Sequence, residues 1–220
     1  FYNKEPAVSI RKLNEYDTFI RHDKAVEIVH KVQIMHGKNK YLDSRVSARK
    51  PFGLPTNYEQ SSSGVPCWFI QRIGLKLASA KDVVDTNGYL SKWKLLIPPA
   101  PIAGQTDFSK PVGFYYDGNT RIAKPGECCT ESWLVAGAFD TESETLSYKS
   151  YIFTKTVRFL LLQTVVSQHV TKKNFCFVPD LGHYSGEYTD DILRKKWDIT
   201  DDEWAFIDSR IGSVGGDSNA

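Results

Sequence analysis

Between His22 and Met35 the apolar residues recur at intervals of three and four. Val26, Val29 and Val32 form a stripe that Ile28 and Ile34 broaden, and Gly37 follows. That spacing predicts a helix with one buried face, ended by the glycine. A shorter helical piece is expected over Tyr41–Ser47. Compact apolar runs bounded by Gly and Pro predict strands at Cys67–Ile70, Trp93–Ile97 and Ser132–Ala136, with a strand and turn within Tyr115–Pro125. Thr141 stands three residues before Glu144, a capping box that opens the longest expected helix, Glu142–His169. The second half of that helix, Phe159–Val166, is apolar on nearly every side and is expected to be buried. Phe175–Val178 reads as a returning strand. Thr189, and Thr200 with Glu203, mark the starts of two short terminal helices with Trp197, Trp204, Phe206 and Ile207 on their apolar faces. Separated strands and helices predict an α+β fold: a mixed sheet packed with one long buried helix and several shorter helices.

The division that follows is a connection over 1–20, a main domain over 21–179, a helical extension over 180–211 and a flexible tail over 212–220. The chain opens on Phe1 rather than Met, so a piece of a longer protein is expected. With 41% hydrophobic and 13% aromatic residues, its 220 residues can bury a core. No apolar run is long enough to span a bilayer and no signal-peptide pattern leads the sequence. Cys67, Cys128, Cys129 and Cys176 show no Cys-x-x-Cys spacing. Together these features predict a cytoplasmic protein with reduced thiols, free of the membrane.

Charge distribution says more than the net +2. From Asp180 onward ten acidic residues face four basic ones, so the preceding part, with 24 basic and 16 acidic, carries +8. Lys149, Lys155, Arg158, Lys172 and Lys173 lie between Thr145 and Pro179 without a single acid. Five cations and one acid lie between Lys38 and Tyr58. Two basic stretches of this kind suit a nucleic-acid face, and equally suit ordinary solvated surfaces.

Enzyme chemistry finds little footing. The sequence has no Asn-Pro-Pro-Tyr loop for methylating an amine, no phosphate-cradling glycine loop and no acid-x-Lys strand for a metal-dependent nuclease. The five histidines lack ligand spacing with the cysteines. Binding remains. Arg49-Lys50-Pro51-Phe52-Gly53-Leu54-Pro55 is a proline-locked turn with two cations, and Thr56, Asn57 and Tyr58 follow it. Arg49 and Lys50 suit phosphates, whereas Thr56, Asn57 and Tyr58 suit base edges. Gln168, His169, Thr171, Lys172 and Lys173 gather at the expected end of the long helix, and Arg121 adds a further cation. Caps, snorkelling cations and the helix dipole offer structural reasons for the same residues.

Five blocks occur in order: SARKPFGLPTNY, SKWKLLIPPA, GECCTESWLVAGAFDTESE, VRFLLLQTVVSQHVTKKNFCFVP and YTDDILRKKWDITDDEWAFIDSRI. Over Arg21–Ile211 they resemble the C-terminal target-recognition region of adenine-N6 DNA methyltransferases of restriction–modification systems, type IIG fusions included. The resemblance implies a parent that methylates adenine N6 in a defined DNA sequence, with S-adenosylmethionine bound in an upstream methyltransferase domain and no cofactor in this chain. Its partners would be duplex DNA and that upstream domain. Arg49, Lys50, Pro51, Phe52, Gly53, Leu54, Thr56, Asn57, Thr130 and Glu131 occupy family-typical positions. Glu59–Pro66 and Ile102–Tyr116 look particular to this chain. The rival expectations are a restriction-nuclease fragment with an unrecognised metal site, and an assembly module acting through the acidic terminal helices.

Overall fold

A computed structural model describes residues 16, 20, 22–102, 105, 107, 110–115 and 117–214. The expected connection over 1–20 and the tail beyond 214 lie largely outside the described residues, as does part of the 102–116 loop.

Helix α1 (Asp23–His36) buries Ala25, Ile28, Val29 and Val32 and ends at Gly37, whose φ of 70° lets its N–H reach the Gln33 carbonyl at 2.8 Å. Ile34, expected on the buried stripe, is 67% exposed. The expected helix over Tyr41–Ser47 shrinks to one 3-10 turn, Leu42–Ser44.

Among the described residues six strands follow: β1 (Val65–Trp68), β2 (Leu75–Ala78), β3 (Trp93–Ile97), β4 (Arg121–Ala123), β5 (Cys128–Cys129) and β6 (Leu134–Phe139). They form two three-stranded sheets. One, ordered β2-β1-β5, is mixed, with β1 antiparallel to β2 and parallel to β5. The other, β4-β3-β6, is antiparallel and bulges between Leu95 and Leu96.

This second sheet divides the interior. Leu95, Ile97, Leu134 and Ala136 join a large core shared with the helices, whereas Leu96, Ala123 and Val135 join a smaller core. Period-2 alternation buried on both faces explains why β3 and β6 read as continuous apolar runs. The small core is closed by β1, β5, Phe52, Leu54 and Trp133. Gly64 enters β1 with φ 131°, and a Cβ there would stand 2.0 Å from the Ala78 carbonyl oxygen, so only glycine fits.

The expected long helix is two. Helix α2 (Glu142–Phe153) stops at Thr154, whose ψ of 146° is extended, and α3 (Lys155–Leu162) begins there. The Thr154 side chain accepts from the Val157 amide, and the Asp190 carboxylate takes the Lys155 amide at 3.0 Å and the Thr156 amide at 2.8 Å. The break is thus satisfied by a local cap and a distant acid. Helix α3 ends at Leu162, seven residues before His169, and Val166 is 79% exposed rather than buried.

The Phe175–Val178 segment is not a strand either. Thr171 and Asn174 form a capping box that winds Lys172–Phe177 into a 3-10 helix. Helices α4 (Asp190–Lys196) and α5 (Asp201–Arg210) start at Thr189 and Thr200 as expected, with the Thr200–Glu203 capping box in place. They pack into the same large core through Leu193, Trp197, Ile207 and Ile211, beside Phe159 and Leu160 of α3. Among the described residues, no helix is long and apolar enough to cross a membrane.

Candidate nucleic-acid interface

The Ser47–Tyr58 loop is pinned at its start, where the Ser47 amide donates to the Val135 carbonyl at 2.9 Å and the Val135 amide donates to the Ser47 hydroxyl oxygen at 3.0 Å. Phe52 and Leu54 are buried in the small core, and the Leu54 carbonyl accepts from the Glu131 amide at 2.8 Å. Lys50 sits at φ 54°, a left-handed conformation that costs a non-glycine residue roughly 1 kcal/mol or more. The Gly53 amide, 3.0 Å from the Lys50 carbonyl, closes the turn.

This scaffold turns Arg49, Lys50, Thr56 and Asn57 outward, all four exposed. The two cations share one acid: Arg49 Nη2 lies 2.9 Å from Glu131 Oε1, and Lys50 Nζ lies 3.7 Å from Glu131 Oε2. Glu131 is mostly sheltered, so it joins the site as a residue that composition and motif alone did not single out. Its one signal in the sequence was the resemblance noted above, which takes in Thr130 and Glu131.

Tyr58 and Arg121 are engaged inside the fold. The Tyr58 hydroxyl donates to Asp82 at 2.8 Å and accepts from the Ser79 amide at 3.1 Å. Arg121 donates from Nη1 to the carbonyls of Thr120 at 2.6 Å and Gly118 at 3.0 Å, and its guanidinium covers the rings of Trp68 and Trp133. These contacts hold Arg121 against the edge of the small core.

Gln168, His169, Thr171, Lys172 and Lys173 belong to a second exposed element between α3 and the Lys172–Phe177 turn. Thr171 carries the capping box with Asn174, and the other four side chains are exposed. Arg49 and Lys50 stand over the small core, whereas this second loop rises from the large one.

Behind the first loop lies a buried cation. Lys94 is fully buried, and its ammonium donates to the carbonyls of Lys92 at 2.6 Å, Lys124 at 2.9 Å and Tyr89 at 3.1 Å. Burial pulls its pKa down to about 8. Cys67 and Cys128 are cross-strand partners on β1 and β5; the hydrogen bond to Cys128, then burial, pushes the Cys67 thiol far up. Burial also raises Cys129. Such thiols are poor nucleophiles.

Among the described residues, one cleft of about 700 Å³ runs along α2 and residues 186–190, and another of about 660 Å³ lies between Asn39–Arg45 and Asp180–Gly182. None of the candidate residues lines either cleft. No strand residue lines either cleft. Among the described residues, no group of three His, Cys, Asp or Glu side chains is placed to hold a metal ion. Neither protein-family models nor curated proteins yield a match to this chain.

Proposed function

We propose that this chain is the DNA-recognition part of a restriction–modification adenine-N6 methyltransferase, docking on duplex DNA while an upstream domain performs methyl transfer. The observation that carries the reading is the Ser47–Tyr58 loop. It is anchored by buried Phe52 and Leu54, strained at Lys50, and turns Arg49, Lys50, Thr56 and Asn57 to solvent. Strain held by a well-packed scaffold is a mark of functional loops. Phosphate contacts from Arg49 and Lys50 would set register, and Thr56 and Asn57 would meet base edges. The five ordered sequence blocks support the same class.

Titration of duplex DNA at increasing salt tests the proposal. Wild type binds at low salt, and affinity falls steeply as salt rises. Arg49→Ala with Lys50→Ala lowers the slope of log K against log salt by about 1 to 2, with the fold intact by circular dichroism. Failure of the wild type to retain any duplex at low salt overturns the reading.

A further inference from the structure

The loop after α3 is rigid at its base and bare at its tip. Val165 and Val170 are buried, and the four residues between them are exposed. Each side of the base is tied down. The Val170 amide donates to the Pro99 carbonyl at 2.7 Å, the Thr164 hydroxyl to the Asn174 carbonyl at 2.7 Å, and the Asn174 side-chain amide to the Thr164 carbonyl at 2.9 Å. Within the tip, Ser167 Oγ and the His169 backbone bond to each other at 3.3 Å.

Val166, at 79%, is the most exposed large apolar side chain among the described residues. A valine on a pinned tip presents two methyl groups to whatever the loop meets. Gln168 follows two residues later with both a donor and an acceptor, and the exposed Lys172 and Lys173 come next. No acid occurs along the chain between Thr145 and Pro179, so the loop's own charges, Lys172 and Lys173, are positive and favour an anionic partner.

Resting on the DNA reading above, we infer that this tip reads an A·T step in the major groove. Val166 packs on a thymine C5-methyl group, Gln168 pairs with the adenine N6/N7 edge, and Lys172 and Lys173 hold the flanking phosphates. The assignment follows the groove's chemistry: the thymine methyl is its one apolar feature, and a carboxamide matches adenine's adjacent donor and acceptor. A rigid base matters because a bidentate contact demands fixed geometry.

The test is selection of the 220-residue chain from a random duplex library, comparing wild type with Val166→Ala, Gln168→Ala and the double variant Lys172→Ala with Lys173→Ala. Wild type enriches a motif. Val166→Ala and Gln168→Ala flatten the same one or two A·T positions and leave the others sharp. Gln168→Ala costs at least about fivefold on the selected duplex. Replacing thymine by uracil at those positions weakens wild type about fourfold, the worth of one methyl group, and leaves Val166→Ala unchanged. The lysine variant weakens all duplexes alike.

A wild-type motif retained in full by Val166→Ala and Gln168→Ala overturns this inference while the DNA reading stands. Binding without any motif, preference for single strands, or an equal loss on every duplex in the Gln168 variant also overturns it. No retention of duplex by the wild type fails the DNA reading itself, a result separate from the others.

Discussion

Two charges on either side of the β4-β3-β6 sheet, the Arg45–Asp180 pair and Lys94, are satisfied in opposite ways. On the helical side, Arg45 meets Asp180 in a two-point bridge, both contacts at 3.0 Å. Tyr184 Oη at 3.0 Å and the Gly182 amide at 2.9 Å complete the carboxylate. The Arg45 guanidinium also lies over the rings of Phe139 and Tyr184. On the sheet side, all three hydrogen bonds of buried Lys94 go to backbone carbonyls. Carbonyls satisfy the donors but carry only partial charge, so much of the desolvation cost stays. The Arg45–Asp180 pair is therefore neutralised charge against charge, while Lys94 keeps an ammonium whose pKa burial pulls down to about 8.

Removing one member of the helical pair gives the largest effect. Asp180→Ala leaves Arg45, the Tyr184 hydroxyl and the Gly182 amide without their acceptor, and is expected to cost about 3 kcal/mol in urea unfolding. A loss below about 1 kcal/mol would remove the contrast between the two cores.

The sheet side is sharpened by pH. The folded pKa of Lys94 is lowered, so between about pH 8 and its ordinary value near 10.4 the unfolded chain binds more protons than the folded one. Stability then rises with pH through that window, and the penalty is fully present below it. By pH 10 the wild type should gain on the order of 2 kcal/mol relative to Lys94→Met. Parallel pH curves for the two proteins would show that Lys94 titrates normally.

Asp190→Ala strips acceptors from the first turn of α3 and should cost about 1.5 kcal/mol, within the range of other lost caps. The loss should appear equally at pH 6 and pH 9, unlike that at Lys94. The smallest effect is at the loop itself. Glu131→Gln frees Arg49 and Lys50 from their shared carboxylate and should tighten duplex binding by up to roughly fivefold, since an exposed pair is worth at most about 1 kcal/mol. Weaker binding would mean that Glu131 orders the loop rather than restraining its cations.

What the sequence could reveal depended on how far apart the interacting residues lie. Helix α1 was legible from valine spacing, and α4 and α5 from Thr189 and Thr200, because those signals sit within a turn of the feature they mark. The break at Thr154 was hidden, because two of the three capped amides, those of Lys155 and Thr156, are taken by the distant Asp190. Strand β2 escaped because Leu75-Lys76-Leu77-Ala78 is too short a run to stand out, and its pairing comes from β1 rather than from burial of Leu75 and Lys76, which are exposed. The 3-10 turn at Lys172–Phe177 lost to its own Phe-x-Phe alternation, although Thr171 and Asn174 carried the correct signal.

In the candidate site, the exposure of Arg49, Lys50, Thr56 and Asn57 follows from the turn chemistry around them. The internal bonds of Arg121 and Tyr58 depend on residues brought near only by the fold, as does the Glu131 clasp. Val166 was read with the apolar run before it, and only the end of α3 at Leu162 separates it from that run.

The packing of α5 on α3 also bears on how the molecule is made. The ring of Phe206 rests against that of Phe159 at 5.8 Å, and Arg158 Nη1 donates to the Gly212 carbonyl at 2.9 Å. A ribosome releases Phe159 some fifty residues before those partners emerge. During that interval the side of α3 that carries Phe159 and Arg158 stays wetted. Nascent chains stalled within α5 should therefore be caught by proteases near α3, long after the small core has closed.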